Sequence, residues 1–165
     1  MKQPEKNITT QSIQRILGEV YDPEIPVLSI IDLGVLRKIE FAGDKILVHI
    51  TPTYSGCPAM DVIAWEIGMA LVKHGFSNYE IIKQLSPAWT TDWITEKGRQ
   101  DLEAYGIAPP VGKSFDSDYL KNLSVTCPLC KSDNTKLISE FGSTACKALY
   151  QCHECQEPFD YFKCH

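Results

Sequence analysis

Two cysteine pairs, Cys127-x2-Cys130 and Cys152-x2-Cys155, constrain this chain more than any other feature. Each pair can bend into a knuckle that aims two sulfurs at one ion. The 21 residues between the pairs can form a hairpin that carries the second knuckle back to the first. That spacing predicts a zinc-ribbon-like β module closed by a tetrahedral four-thiolate site, although the gap is slightly longer than the usual ~15–20 residues. The alternatives are a disulfide framework or four unrelated thiols. Zinc is the expected structural metal, and a single iron fits the same tetrahedron.

A chain of 165 residues with 44% hydrophobic content can bury more core than a small metal module needs, so one main domain plus the module is the natural division. Residues 1–107 read as the main domain, 108–122 as a linker broken by Ala108-Pro109-Pro110, and 123–165 as the ribbon. Relative motion of the two units is expected. The polar start and the lack of any apolar run near ~20 residues predict a soluble, unexported chain with no membrane span. Seven cysteines, four in metal spacing, fit a reducing compartment and hence the cytoplasm. Net charge is −4 over residues 1–107 and −1 over 123–165, so neither unit offers the basic surface that a nucleic acid requires.

The fold class read from the pattern is α/β (α+β), a small mixed three-stranded sheet with packed helices followed by the ribbon. Thr9 and Thr10 cap a helix with Ile13, Ile16, Leu17 and Val20 on one face, which Asp22-Pro23 is expected to stop. Strands around Val35–Phe41 and Ile46–Ile50 form a hairpin across Gly43-Asp44. Pro58 to His74 reads as a helix apolar on two sides, one of them formed by Val62, Trp65, Met69 and Val72. Either Trp89, Trp93 and the next helix cover that second side, or another chain meets it. A third strand follows at Tyr79–Leu85 and a helix at about Thr91–Ala104. Ribbon strands are expected at Leu123–Thr126, Thr135–Phe141, Ala148–Gln151 and Pro158–Lys163.

Cys57 stands between a strand and a helix N-terminus, where unpaired N–H groups favour thiolate over thiol. The placement leaves two readings, a sulfur reactive at neutral pH or a cysteine packed beneath the loop as a small buried hydrophobe. Asp22-Pro23-Glu24 puts two carboxylates in a loop, suited to metal binding or proton transfer, or else to stopping the first helix and meeting solvent. Asp32 reads as a turn former. Cys146, Cys164 and His165 are spare metal-capable side chains, with Cys146 assigned to the ribbon core. His49, His74 and His153 have no partner at a recognisable spacing, and no hydrolase, P-loop or dinucleotide fingerprint is present.

Asp22-Pro23-Glu24-Ile25-Pro26, Ile31-Asp32-Leu33-Gly34 and Thr51-x-Thr53-x2-Gly56-Cys57-Pro58 together resemble the small iron–sulfur assembly proteins of the SufT and eukaryotic cytosolic targeting-factor type over about residues 10–107. Pro87-Ala88-Trp89-Thr90-Thr91-Asp92-Trp93, Tyr105-Gly106-Ile107-Ala108-Pro109-Pro110 and the ribbon extend the resemblance to one branch, the D subunits of phenylacetyl-CoA oxygenase systems. The resemblance implies an accessory subunit, without catalytic activity of its own, of the bacterial monooxygenase that epoxidises phenylacetyl-CoA in phenylacetate degradation. It implies help in assembling the iron–sulfur cluster of the reductase component, with Cys57 at the family's reactive position and Asp22 and Glu24 in its acidic signature. The implied cofactors are a structural zinc, or iron, at Cys127, Cys130, Cys152 and Cys155, and a transient iron or iron–sulfur cluster at Cys57. The implied partners are the reductase and the other monooxygenase subunits. A homodimer joining two Cys57 residues is a further one, because a single thiolate holds a cluster poorly. The ribbon would offer Phe159, Tyr161 and Phe162 as contacts. The competing readings are a docking subunit without cluster chemistry and a thiol enzyme, for which no histidine base is evident.

Overall fold

The computed structural model describes residues 8–112 and 117–163. Helix α1 (Thr10–Leu17) opens with a reciprocal cap in which Thr9 and Ser12 bond each other's backbone N–H groups. It ends at Gly18, ahead of Asp22-Pro23, and Val20 follows in a turn while still buried. Strands β1 (Leu36–Ala42) and β2 (Lys45–Ile50) form the expected hairpin, with Gly43 at φ +65° in its turn. Helix α2 (Ala59–Lys73) crosses back to β3 (Tyr79–Lys83), which pairs parallel to β2. The first sheet is therefore mixed, in the order β1-β2-β3. Ile46, Val48 and Ile50 alternate into its covered face, where they meet Ile63, Ile67 and Leu71 of α2 and Ile13 and Leu17 of α1.

The segment after β3 is bent by two caps. Thr90 starts a single 3-10 turn over Thr91–Trp93, and Thr95 caps α3 (Glu96–Tyr105), so the helix expected from Thr91 begins five residues later. Gly34 explains why the chain can pass here. It lies at φ +77°, and a Cβ added to it would stand 2.6 Å from Trp93 Cβ and from Trp93 O. Asp32, as expected, holds a turn. It accepts hydrogen bonds from Ser29 Oγ and Thr95 Oγ1, both at 2.8 Å, and these outweigh burial to keep its carboxyl below the usual carboxylate range.

The second sheet runs β4-β7-β6-β5. It contains β5 (Thr135–Ser139), β6 (Lys147–Cys152), β7 (Pro158–Phe162) and the two-residue β4 (Ile107–Ala108), which pairs parallel to β7. β4 and the helix α4 (Ser117–Asn122) were not legible in the sequence, and Leu123–Thr126 is no strand. The described ends of the stretch read as a linker thus pack on the ribbon. Ala108 is a sheet partner, Leu120 is buried, and Tyr150 Oη donates to Leu120 O at 2.8 Å.

The two units share a core, which corrects the expectation of free relative motion. Phe162 and Cys146, both from the ribbon, are buried in the cluster of the first unit. Phe162 meets Trp89 edge-on at 5.9 Å, and Trp89 Nε1 donates to Leu33 O at 2.9 Å. Phe159, Tyr161 and Phe162 are at most 4% exposed, so they are core residues and offer no recognition surface. Trp89 and Trp93 are likewise engaged elsewhere, Trp93 beneath Arg37 at 3.4 Å. The second face of α2 is consequently open, with Trp65 65% exposed beside Val62, Met69 and Val72. Among the described residues no helix is long and apolar enough to cross a membrane.

Phe162→Ala should cost about 3–5 kcal/mol, as expected for a deleted buried aromatic. Urea unfolding followed by tryptophan fluorescence is expected to be one transition for the intact chain. It should broaden or split in the variant, because the shared core is what makes the two units unfold together.

Candidate functional site

The four ribbon cysteines come together as their spacing predicts. Their Sγ atoms all lie within 4.8 Å of one another, with Cys127 to Cys155 at 3.8 Å and Cys130 to Cys152 at 3.5 Å. Four sulfurs at ~2.3 Å from a central zinc in a tetrahedron would stand ~3.8 Å apart, so the donor set is gathered to about the size such an ion requires. Each knuckle is followed by a residue in the left-handed region, Lys131 at φ 65° and Gln156 at φ 64°, which turns the chain away once both sulfurs are placed. Backbone N–H groups of Cys155 and Glu154 lower the Cys152 thiol, while burial and the neighbouring sulfurs push the Cys155 thiol up, so Cys152 is the first of the two to ionise. This arrangement favours the thiolate that a metal needs. Cys127 and Cys152 are buried while Cys130 faces solvent, so the ion would sit near the surface with its inner side sealed.

A second group assembles at the end of β2. β2 ends at Ile50, and residues 51–58 lead into the N-terminus of α2. This is the carboxyl end of a strand beside a helix start, where open α/β sheets place ligands. Cys57 lies there, half-buried, its backbone N–H bonded to Tyr54 O at 3.2 Å. Its sulfur accepts from the Ala59 N–H and is hydrogen-bonded by the Tyr54 side chain. The helix terminus does not decide its acidity. Burial outweighs the Ala59 amide, Glu24 and Asp22 add like charge, and the thiol is pushed above its ordinary value. The depressed pKa expected from the helix terminus is therefore overturned, because the site encloses the sulfur and surrounds it with acids.

Asp22 and Glu24 take different parts. Asp22 is buried, and its Oδ1 accepts from the Glu24 N–H at 2.7 Å and the Ile25 N–H at 3.0 Å. It is the residue that shapes the loop, and burial still pushes its carboxyl up despite those two amides. Glu24 is the carboxylate the loop presents. Its backbone carbonyl accepts from Lys147 Nζ at 3.0 Å, and its Oε2 lies 3.8 Å from Cys146 Sγ.

Tyr54, Cys146 and Lys147 belong to this neighbourhood and were not singled out for it from the sequence. Burial, together with charge on Cys57, Glu24 and Cys146, pushes the Tyr54 hydroxyl up to about 12. The signal for Tyr54 was its place inside the motif leading to Cys57. No signal in the local sequence ties Cys146 to a loop 122 residues earlier. Cys164 and His165 lie outside the described residues. His153 is exposed on the second knuckle, and its backbone N–H bonds to Asn134 O.

Two family models match the chain. The iron–sulfur cluster assembly protein model covers residues 10–74 and the PaaD zinc beta ribbon domain model covers residues 113–163. A protein of Escherichia coli (strain K12), provisionally named as the D subunit of 1,2-phenylacetyl-CoA epoxidase, is 51% identical over 92% of this chain and 91% of its own length. An Fe-S protein maturation auxiliary factor of Porphyromonas gingivalis (strain ATCC BAA-308 / W83) is 33% identical over 57% of this chain and 90% of its own. Among solved structures, a domain of unknown function from Bacillus anthracis superposes with a TM-score of 0.52 at 20% identity. It covers 56% of this chain and 89% of that one, a likeness of fold alone.

Two outcomes follow from the geometry. Alkylation of Cys57, read by peptide mass spectrometry, should rise with pH to a midpoint above that of free cysteine, since only the thiolate reacts and burial disfavours it. Metal analysis should find one ion held by the ribbon of each chain. A strong chelator should then make residues 127–132 and 152–157 sensitive to protease, because the ion is what closes both knuckles.

Proposed function

Because this chain belongs to the D-subunit family of 1,2-phenylacetyl-CoA epoxidases, we propose that it is an accessory subunit of such a system. Its task is to handle iron or an iron–sulfur cluster at Cys57 on the way to the system's reductase component. The observation that carries this reading is the side-chain group at the start of α2, where a half-buried thiol is hydrogen-bonded by Tyr54 and lies within electrostatic reach of the Glu24 carboxylate. Among the described residues no histidine base stands in that group, which argues against a thiol enzyme.

The raised pKa of Cys57 suits a carrier. At neutral pH the resting sulfur keeps its proton, so it is a poor nucleophile and resists oxidation. Arriving iron displaces that proton, and Glu24 can accept it or add an oxygen ligand. A sulfur that binds only against this cost also releases its cargo readily. The ribbon's four cysteines would hold zinc as a structural ion, consistent with a closed set that has no vacant position.

Val62, Trp65, Met69 and Val72 run along α2 from the end that carries Cys57. A client seated on that apolar stripe would lie beside the thiol, and we assign the reductase component to it. A docking subunit without cluster chemistry is the second reading, favoured by the same exposed stripe. A second copy of the chain on the stripe would give a homodimer. The two Cys57 residues would then meet only if the helices packed side by side in parallel.

The deciding experiment is to produce the reductase component under matched iron supply with this protein, without it, with Cys57→Ala and with Trp65→Asp, and to measure iron and sulfide per reductase chain. Filling is expected only with the intact protein, Trp65→Asp being impaired through docking. Equal filling with Cys57→Ala would overturn the carrier reading in favour of the docking subunit. Light scattering on the same samples reports whether the stripe joins two copies.

A further inference from the structure

The ribbon reaches back to the first unit with a sulfur as well as with an aromatic ring. The loop between β5 and β6 places Cys146, only 2% exposed, in the core cluster of the first unit and outside the ribbon's own. A cysteine that merely filled space would be expected among apolar neighbours. Besides its apolar neighbours in that cluster, Cys146 has Glu24 Oε2 at 3.8 Å and Thr144 Oγ1 at 3.0 Å, and it lies within electrostatic reach of Asp22, Lys147 and Lys163. Tyr54, which bonds Cys57, feels the charges of Cys57, Glu24 and Cys146 alike. Glu24 thus lies 3.8 Å from the Cys146 thiol and within electrostatic reach of the Cys57 thiol, 89 residues earlier in the chain than Cys146.

We propose that Cys146 is the second sulfur ligand of the site at Cys57, so that Cys57, Cys146 and Glu24 form a transient two-thiol, one-carboxylate site for ferrous iron. The inference rests on the reading of Cys57 as an iron-handling residue and deepens it. It gives the ribbon a role besides its structural ion, which is to deliver the missing thiolate. Two thiolates make a soft site that prefers iron over magnesium or calcium, and the carboxylate supplies a harder oxygen. Among the described residues only the ribbon quartet has all its ligand atoms within 4.8 Å of one another. Ligation at the second site therefore requires rotation of the half-buried Cys57 and Glu24 side chains toward Cys146. Each thiol gives up one proton to solvent on ligation. Burial and the acids Glu24 and Asp22 favour the protonated form of Cys146, while Thr144, Lys147 and Lys163 favour the thiolate.

The test uses the full chain with its ribbon metal retained, under anaerobic conditions, and Co(II) as a spectroscopic stand-in for ferrous iron. Thiolate-to-Co(II) charge-transfer absorption is titrated in the intact protein and in Cys57→Ser, Cys146→Ser, Cys146→Ala and the Cys57→Ser/Cys146→Ser pair. The ribbon metal and far-UV circular dichroism are measured on the same samples. One Co(II) per chain beyond the ribbon ion is expected. Each single variant should keep about half the absorption per bound ion, and should bind more weakly by over ~10-fold, the least that even an outer-sphere partner contributes. The pair should lose the signal. Cys146→Ala guards against serine loosening a buried position.

Wild-type absorption and affinity in both Cys146 variants, with loss in Cys57→Ser, would overturn the role of Cys146 and leave the reading of Cys57 intact. Loss confined to the Cys146 variants would overturn the reading of Cys57. An intact chain that takes up no Co(II) beyond the ribbon would overturn both.

Discussion

Phe162 ends the last strand of the ribbon, yet its ring is buried in the core of the α/β unit, edge-on to Trp89. Trp89 is fixed in turn by its hydrogen bond to Leu33 O, beside the turn in which Gly34 lets Trp93 pass. β4 adds a backbone link to the same joint by pairing with β7, and Val111 N–H donates to Tyr161 Oη at 3.1 Å. Burying one aromatic ring is worth a few kcal/mol, a large fraction of what holds a small domain folded. Because both units contribute side chains to a single apolar cluster, neither can move without opening the other's core.

That joint also sets the functional geometry. Phe162 and Lys163 leave β7 where Cys146 and Lys147 enter β6, and Lys163 N–H bonds Cys146 O at 3.0 Å. Fixing the strand end fixes the loop that carries Cys146 and Lys147 against Glu24. On the other side, the Asx-type turn made by Asp22 aims Glu24 outward from a loop whose Ile25 and Leu28 are anchored in the core. An ion held by the ribbon would thus be coupled mechanically to the group around Glu24: the knuckles set the hairpin, and the hairpin brings its loop to Glu24.

Elements whose apolar period matched one buried face were legible in the sequence. The β1-β2 hairpin, α2 and β3 fall within a residue or two of their expected bounds. α1 ended early because Gly18 caps it before Asp22-Pro23 is reached. β4 was illegible because a two-residue strand has no period and exists only through its partner β7. α2 was read correctly as apolar on two sides, but the tryptophans expected over its second face had closer partners in Leu33, Phe162 and Arg37. The ribbon aromatics were read as surface because the sequence does not say against what a strand face packs.

Local chemistry was already written in the order of the residues: two knuckles spaced to close on one ion, a thiol before a helix, and an acidic loop rigid enough to present a carboxylate. Spacing suffices there, because each of these features lies within a turn or a hairpin. The acidity of Cys57 came only with packing, since it depends on how deeply the site is buried and on which charges face it. The same holds for Cys146 beside Glu24, because contacts between distant segments follow from the packing of the shared core, which no local pattern encodes.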